Sequence, residues 1–133
     1  MKTQASLEYL IIVSIAFLIL IPAILYANSM LLSSKNELRN KLGESVVERL
    51  AENSDWVYSL GSPSRIKINI YVPEFVEYIN ISNHKISLKF KDSPDPIFKI
   101  TKANVTGYIP SEEGYYNVLI MAEQNFVNIS VVE

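Results

Sequence analysis

Cysteine is absent from the chain, which excludes disulfide staples and thiolate metal sites while leaving the compartment open. Histidine occurs once, as His84, in a segment that reads as a turn, so a surface position is expected rather than a catalytic one. The chain has only 4 glycines, and none build a loop that would cradle phosphate. Neither sign of charge dominates: 12 Lys and Arg stand against 14 Asp and Glu, for a formal net charge of −2. That leaves no basic stripe for nucleic acid and no acidic tail. Repeats and low-complexity tracts are missing too. The acidic residues of Asp92-Ser93-Pro94-Asp95-Pro96 read as turn chemistry, and Glu112-Glu113 as a solvated loop. No Ser/His/Asp arrangement suggests itself. The expectation is a protein that is not an enzyme, with no catalytic, cofactor or metal residues to assign.

One absence is more informative than the rest. No charged side chain appears between Glu8 and Lys35, and most of the intervening residues are Leu, Ile, Val, Ala or Phe. At about 1.5 Å per residue, more than about 20 apolar residues in a helix cross a hydrocarbon layer roughly 30 Å thick. With 133 residues, the chain has room for one such helix and one small domain. Glu8 is the anomaly. A carboxylate carried to the bilayer centre costs about 2.5–3.5 kcal/mol, so a plain anchor would gain by losing it. A secretory signal fits poorly. Its apolar core is 7–15 residues long, and the candidate site Leu25-Tyr26-Ala27 has bulky residues where small ones are wanted. Plain anchor and cleaved signal both stay open on hydropathy alone.

The string Lys2-Thr3-Gln4-Ala5-Ser6-Leu7-Glu8 resembles the class III signal of archaeal type IV pilin-like proteins. Lys2 stands for the short basic leader, Gln4, Ser6 and Glu8 match the alternating positions that follow, and Thr3 replaces the usual small residue before Gln. The resemblance covers the N-terminal segment, roughly a quarter of the chain, and its position against a long apolar run makes it fairly specific. It implies cleavage between Thr3 and Gln4 by a prepilin peptidase. It also implies that Gln4 and Glu8 serve assembly, the new amine of one subunit meeting Glu8 of a neighbour. Paired in a low-dielectric bundle, the two charges offset much of their desolvation cost. The implied partners are other pilin subunits, the peptidase, the membrane assembly machinery and, before assembly, the membrane itself. The implied localisation is the cytoplasmic membrane for the precursor and an extracellular surface filament afterwards. The alternative is an extracellular binding module that keeps the same signal as an anchor and never polymerises. A bitopic protein with no processing is a third reading.

Pro22 lies inside the apolar run and is expected to kink it rather than end it. Asn28, Ser29, Ser33 and Ser34 mark the exit from hydrocarbon. Beyond Lys35, Leu38, Leu42, Val46 and Leu50 recur every four residues, with Val47, Ala51, Val57 and Leu60 widening the stripe. Gly43 reads as a weak point or bend. Gly61-Ser62-Pro63 ends the helix.

After Pro63 the period changes from 3.6 to 2. Ile66 to Val72, Ile86 to Lys91 and Val127 to Val131 alternate as half-buried antiparallel strands. Tyr115 to Met121 suits a central strand; Phe75–Ile79, Ile97–Thr101 and Val105–Ile109 are shorter candidates. Turns fall at Ser82-Asn83-His84, Asp92 to Pro96 and Pro110 to Gly114. The expected fold is α+β, a long N-terminal hydrophobic helix followed by a small antiparallel β-sandwich-like domain. Its divisions are residues 1–3 (leader), 4–34 (hydrophobic half-helix), 35–60 (amphipathic half-helix) and 61–133 (β-strand head). About 70 residues of strands make a marginal core, so the amphipathic stripe is expected to complete it. Asn80, Asn104 and Asn128 each begin an Asn-x-Ser/Thr triplet and are candidate N-glycosylation sites. Asn128 is expected on the wet face of its strand. The Lys and Arg residues flanking the apolar run slightly favour an outside N-terminus. A following domain translocates largely regardless of flanking charge, so the motif sets the expected orientation, with the N-terminus inside.

Overall fold

The computed structural model of the chain describes residues 1–132. Helix α1 runs from Lys2 to Leu60 without a break and passes through Pro22. The missing N–H of Pro22 removes one intrahelical bond, and the helix continues across it. Gly61 stops the helix at φ +85°, the left-handed conformation that glycine adopts without a Cβ penalty. Its N–H donates to the Tyr58 carbonyl at 3.1 Å, capping an otherwise orphaned acceptor. Seven strands follow: β1 Arg65–Val72, β2 Val76–Ser82, β3 Lys85–Phe90, β4 Ile97–Ile100, β5 Val105–Gly107, β6 Gly114–Ala122 and β7 Val127–Val132. The chain divides into two compact units, one of Met1–Leu38 and one from Arg39 onward.

In the second unit, four strands form a sheet in the order β1-β6-β7-β5 and three form another in the order β2-β3-β4. β6 is central, as its nearly continuous apolar run predicts. The pairs β1–β6, β6–β7, β2–β3 and β3–β4 are antiparallel. β5 departs from that pattern, running parallel to β7 with Val105 opposite Val127. It is also shorter than the alternation suggests, because Tyr108 and Ile109 leave the ladder. A second departure lies at Phe75. It sits in a turn at φ +63°, unusual for an aromatic residue, and β2 begins only at Val76.

One apolar cluster unites the two sheets with the Arg39–Leu60 part of α1. Val46, Val47, Leu50, Ala51 and Val57 supply the helix face, and Leu50 is fully buried. The stripe is narrower than its period-four spacing suggests: Leu38 and Leu60 are exposed and Leu42 is only half-buried. The reading of Gly43 as a bend is corrected. Gly43 is buried inside an unbroken helix, and a Cβ there would stand 2.8 Å from Phe90 Cζ. The missing side chain is what lets the helix approach β3.

Polar contacts flank this packing. The Arg39 guanidinium lies 5.1 Å from the Phe90 ring centroid and 5.3 Å from that of Phe75, and pairs with Asp92. Arg49 donates to the Asn69 carbonyl at 2.7 Å. The Asp55 carboxylate accepts the N–H groups of Lys102 at 2.8 Å and Ala103 at 3.3 Å. On the outer side of the larger sheet, Tyr71 donates its phenol proton to Glu113 at 2.6 Å and meets Tyr115 in a tilted ring contact, with centroids 4.9 Å apart.

Two predictions follow from this packing. Gly43→Ala gains about 1 kcal/mol of helix propensity, but Phe90 is only 1% exposed and has little room to move. The expected net loss is about 1–2 kcal/mol, because overpacking costs typically about 1–3 kcal/mol, read from chemical unfolding of the full chain in detergent. The second concerns Tyr71, whose pKa is raised above its ordinary value of 10.0, first by the hydrogen bond to Glu113 and then by lost hydration and the carboxylate charge. The stabilisation is fully present below the unfolded pKa and disappears as the pH rises through the higher folded value. Glu113→Gln should therefore move the Tyr71 ring titration, followed by NMR, to lower pH.

Candidate functional site

Lys2, Thr3, Gln4, Ser6 and Glu8 all lie in the first two turns of α1, and all are exposed. The Thr3–Gln4 peptide bond falls where N–H groups have no intrahelical partner. The first ordered bond joins the Ala5 N–H to the Met1 carbonyl at 3.1 Å. A protease that needs extended backbone therefore meets the most easily opened part of the helix.

Helical spacing sorts these residues by face. Gln4 and Glu8 are four apart, so they share a face with Cβ atoms about 5–6 Å apart. Ser6 is two residues from each, on roughly the opposite side. If Gln4 became the first residue, its amine would stand one turn from the Glu8 of its own chain. The arrangement can thus hold an amine–carboxylate pair within one helix. A single chain does not bring together the amine of one copy and the carboxylate of another.

From Tyr9 to Ser34 the helix carries no charge, and almost every residue is exposed. Leu18 is 75% exposed and Ile19 67%. An apolar surface this extensive is not stable in water and marks contact with lipid or with other protein. Ser14 fits that setting because its hydroxyl donates to the Leu10 carbonyl at 2.8 Å and leaves no unmet donor. Among the described residues, α1 is the one helix long and apolar enough to cross a membrane by length and composition.

The remaining candidates scatter over the second unit. Asn80 is exposed on β2, an outer strand of the smaller sheet. Asn104 is exposed in the loop before β5. Asn128 is half-buried on β7, opposite both Met121 and Thr106. Asn128 lies on the wetter face of β7, between the buried Val127 and Ile129, although strands flank it on both sides. His84 is exposed in the turn between β2 and β3. Asp92 is engaged by Arg39. No group of three or more His, Asp or Glu side chains stands ready to hold a metal among the described residues.

The strand expected at Ile97–Thr101 is present as β4, Ile97–Ile100, but sequence reasoning missed how much of its apolar surface lies exposed. Phe98 is 53% exposed and Ile100 69%, although Ile97 beside them packs against the core. The signal was available: Ile97-Phe98-Lys99-Ile100 is apolar on both faces of a strand, which a half-buried sheet does not require. No protein-family model, curated protein or solved structure matches the chain.

Proposed function

We propose that this chain is the precursor of a structural subunit, a pilin, of an archaeal type IV pilus-like surface filament, assembled through its N-terminal helix. The observation that carries the proposal is the Glu8-headed helix: a carboxylate exposed one turn beyond Gln4, directly followed by an uncharged, exposed apolar surface. Before assembly that surface is covered by lipid. Afterwards it is covered by the helices of other subunits. Exposing it to water instead would cost about 1.5–3 kcal/mol for each large side chain. A peptidase cutting between Thr3 and Gln4 on the cytoplasmic side leaves the helix attached to its β-domain. The β-domains coat the filament, where Asn80 and Asn104 are open to glycosylation and the outer surface to adhesive contacts.

Mass spectrometry of the native protein should find a mature chain beginning at Gln4, with any glycan mass on Asn80 or Asn104 rather than Asn128. A native N-terminus at Met1 or Asn28 would remove the basis of the proposal. Sheared surface filaments should contain the protein without detergent. Recovery only from extracted membranes, under conditions where filaments form, would favour an anchored module.

Glu8→Gln should leave membrane insertion intact, because removing a charge lowers the cost of entering hydrocarbon by up to about 2.5–3.5 kcal/mol. Processing should change little, and the mutant should accumulate as cut monomer in the membrane, since a neutral amide does not compensate the Gln4 amine of a neighbour. Normal filament yield would show that the pair is dispensable, and accumulation of uncut chain would assign Glu8 to the cleavage signal.

A further inference from the structure

The three Asn-x-Ser/Thr triplets share a sequence pattern but not a setting. Tyr78 and Asn80 are both exposed on β2, while Ile79 between them and Ile81 beyond are buried. Side chains two apart in a strand stand on one face, with about 6.5–7 Å between them along the strand. Tyr78 and Asn80 are therefore neighbours on the outer face of the smaller sheet. With Ile79 they line a shallow hollow of about 380 Å³. β2 is an edge strand, and the triplet ends at Ser82, immediately before the hairpin turn at Asn83 and His84.

Across the ladder, Asn80 stands opposite Ser87 and Tyr78 opposite Lys89. Ser87 is short and buried, and the Lys89 ammonium is engaged by Glu77. Two other outward rings have company: Tyr71 meets Tyr115, and Phe98 lies under the Lys85 ammonium at 4.5 Å. Among the described residues, the Tyr78 ring meets no other ring or cation, and the Asn80 amide makes no hydrogen bond. The other triplets lack this arrangement. Two residues before Asn104 stands Lys102. Phe126, two before Asn128, lies in the turn outside β7, and Asn128 itself is half-buried.

We infer that Tyr78 is the seat for the first sugar of a glycan carried on Asn80, and that this glycan braces the edge strand β2. The inference rests on the extracellular position of the β-domain in the proposed function. The donor is a lipid-linked oligosaccharide phosphate, presented by a membrane transferase. The Asn80 amide nitrogen bonds to the anomeric carbon as the carbon–oxygen bond to phosphate breaks. The electron pair of that bond leaves with the phosphate, and one amide proton passes to a base on the transferase.

Ring chemistry selects the occupant. A pyranose presents axial C–H groups on one face, apolar and weakly positive, and the face of a tyrosine ring is negative. The hydroxyls around the sugar's rim stay in water, so the contact buries no unpaired polar group. One ring is a poor site for a free saccharide. A sugar tethered one side chain away arrives at a high effective concentration, and one ring then suffices. The extended strand holds Tyr78 and Asn80 side by side, whereas the unfolded chain does so in only a fraction of its conformers. The contact therefore favours the folded domain.

A double-mutant cycle made in native cells tests the coupling. Its members are the unsubstituted chain, Tyr78→Ala, Ser82→Ala and the double variant. Ser82→Ala removes the acceptor triplet and leaves Tyr78 and Asn80 in place. Peptide mass spectrometry should find a glycan on Asn80 in the first two chains and none in the last two. Thermal unfolding is then followed on the full chains in detergent, using the glycan-bearing fraction of the first two. Ser82→Ala should lower the midpoint by about 4–8 °C with Tyr78 present, and by much less in the Tyr78→Ala background. Tyr78→Phe, which keeps the ring, should preserve the difference. Absence of a glycan from Asn80, or an equal loss with and without Tyr78, would overturn the inference. An amine-reactive label that does not cross membranes, applied to intact cells, separates the two readings. A bare Asn80 in a β-domain open to that label overturns this inference alone, whereas a β-domain closed to it removes the pilin proposal as well.

Discussion

Burial of one helix face sets the terms for the second unit. Val46, Val47, Leu50, Ala51 and Val57 lie in the same apolar cluster as the inner residues of both sheets. A three-stranded and a four-stranded sheet of short strands would form a thin core alone, and small domains bury too little surface to be secure. The helix supplies the rest of the packing. Gly43 shows how closely the surfaces are fitted, because even one methyl group would collide with Phe90. The helix face therefore belongs to the β-domain as much as any strand does.

The same helix answers to two environments. From Tyr9 to Leu32 its side chains are uncharged and mostly apolar on every face, which suits lipid or a bundle of like helices and nothing watery. From Arg39 onward one face is dry and the other carries charge, the pattern of a helix at a protein surface. The contrast between these stretches, with Glu8 at the head of the first, underlies the proposed membrane entry and later transfer into a filament. The proposed peptidase and filament reading rests on that contrast and on the residues from Lys2 to Glu8.

Much of this was legible in the sequence. The uncharged run announces itself by the absence of charge, the helix end by Gly61 and Pro63, and the strands by the change of period at Pro63. What stayed hidden depends on contacts between residues distant in the chain. Nothing local distinguishes a glycine that bends a helix from Gly43, which admits Phe90. Alternation does not reveal that β5 runs parallel to β7, because strand direction is set by the path of the connection. Leu38 and Leu60 fit the helical stripe and yet lie beyond the reach of the sheets. Lys2 to Glu8 are consecutive on one exposed helix, so their placement could be read directly from the sequence.

The three polar ties between α1 and the β-domain have a mechanical consequence. Arg39 to Asp92, Arg49 to the Asn69 carbonyl and Asp55 to the 102–103 backbone are spread along the helix rather than gathered at one end. A pull along the helix axis loads them in parallel, as shear, together with the apolar contacts between them. Rupture then requires many contacts to fail at once, whereas a peeling force would open them singly. Resistance to force is governed by the unfolding rate rather than by equilibrium stability. A tensile load carried by α1 would thus be shared across the whole β-domain, a property suited to a protein that bears strain.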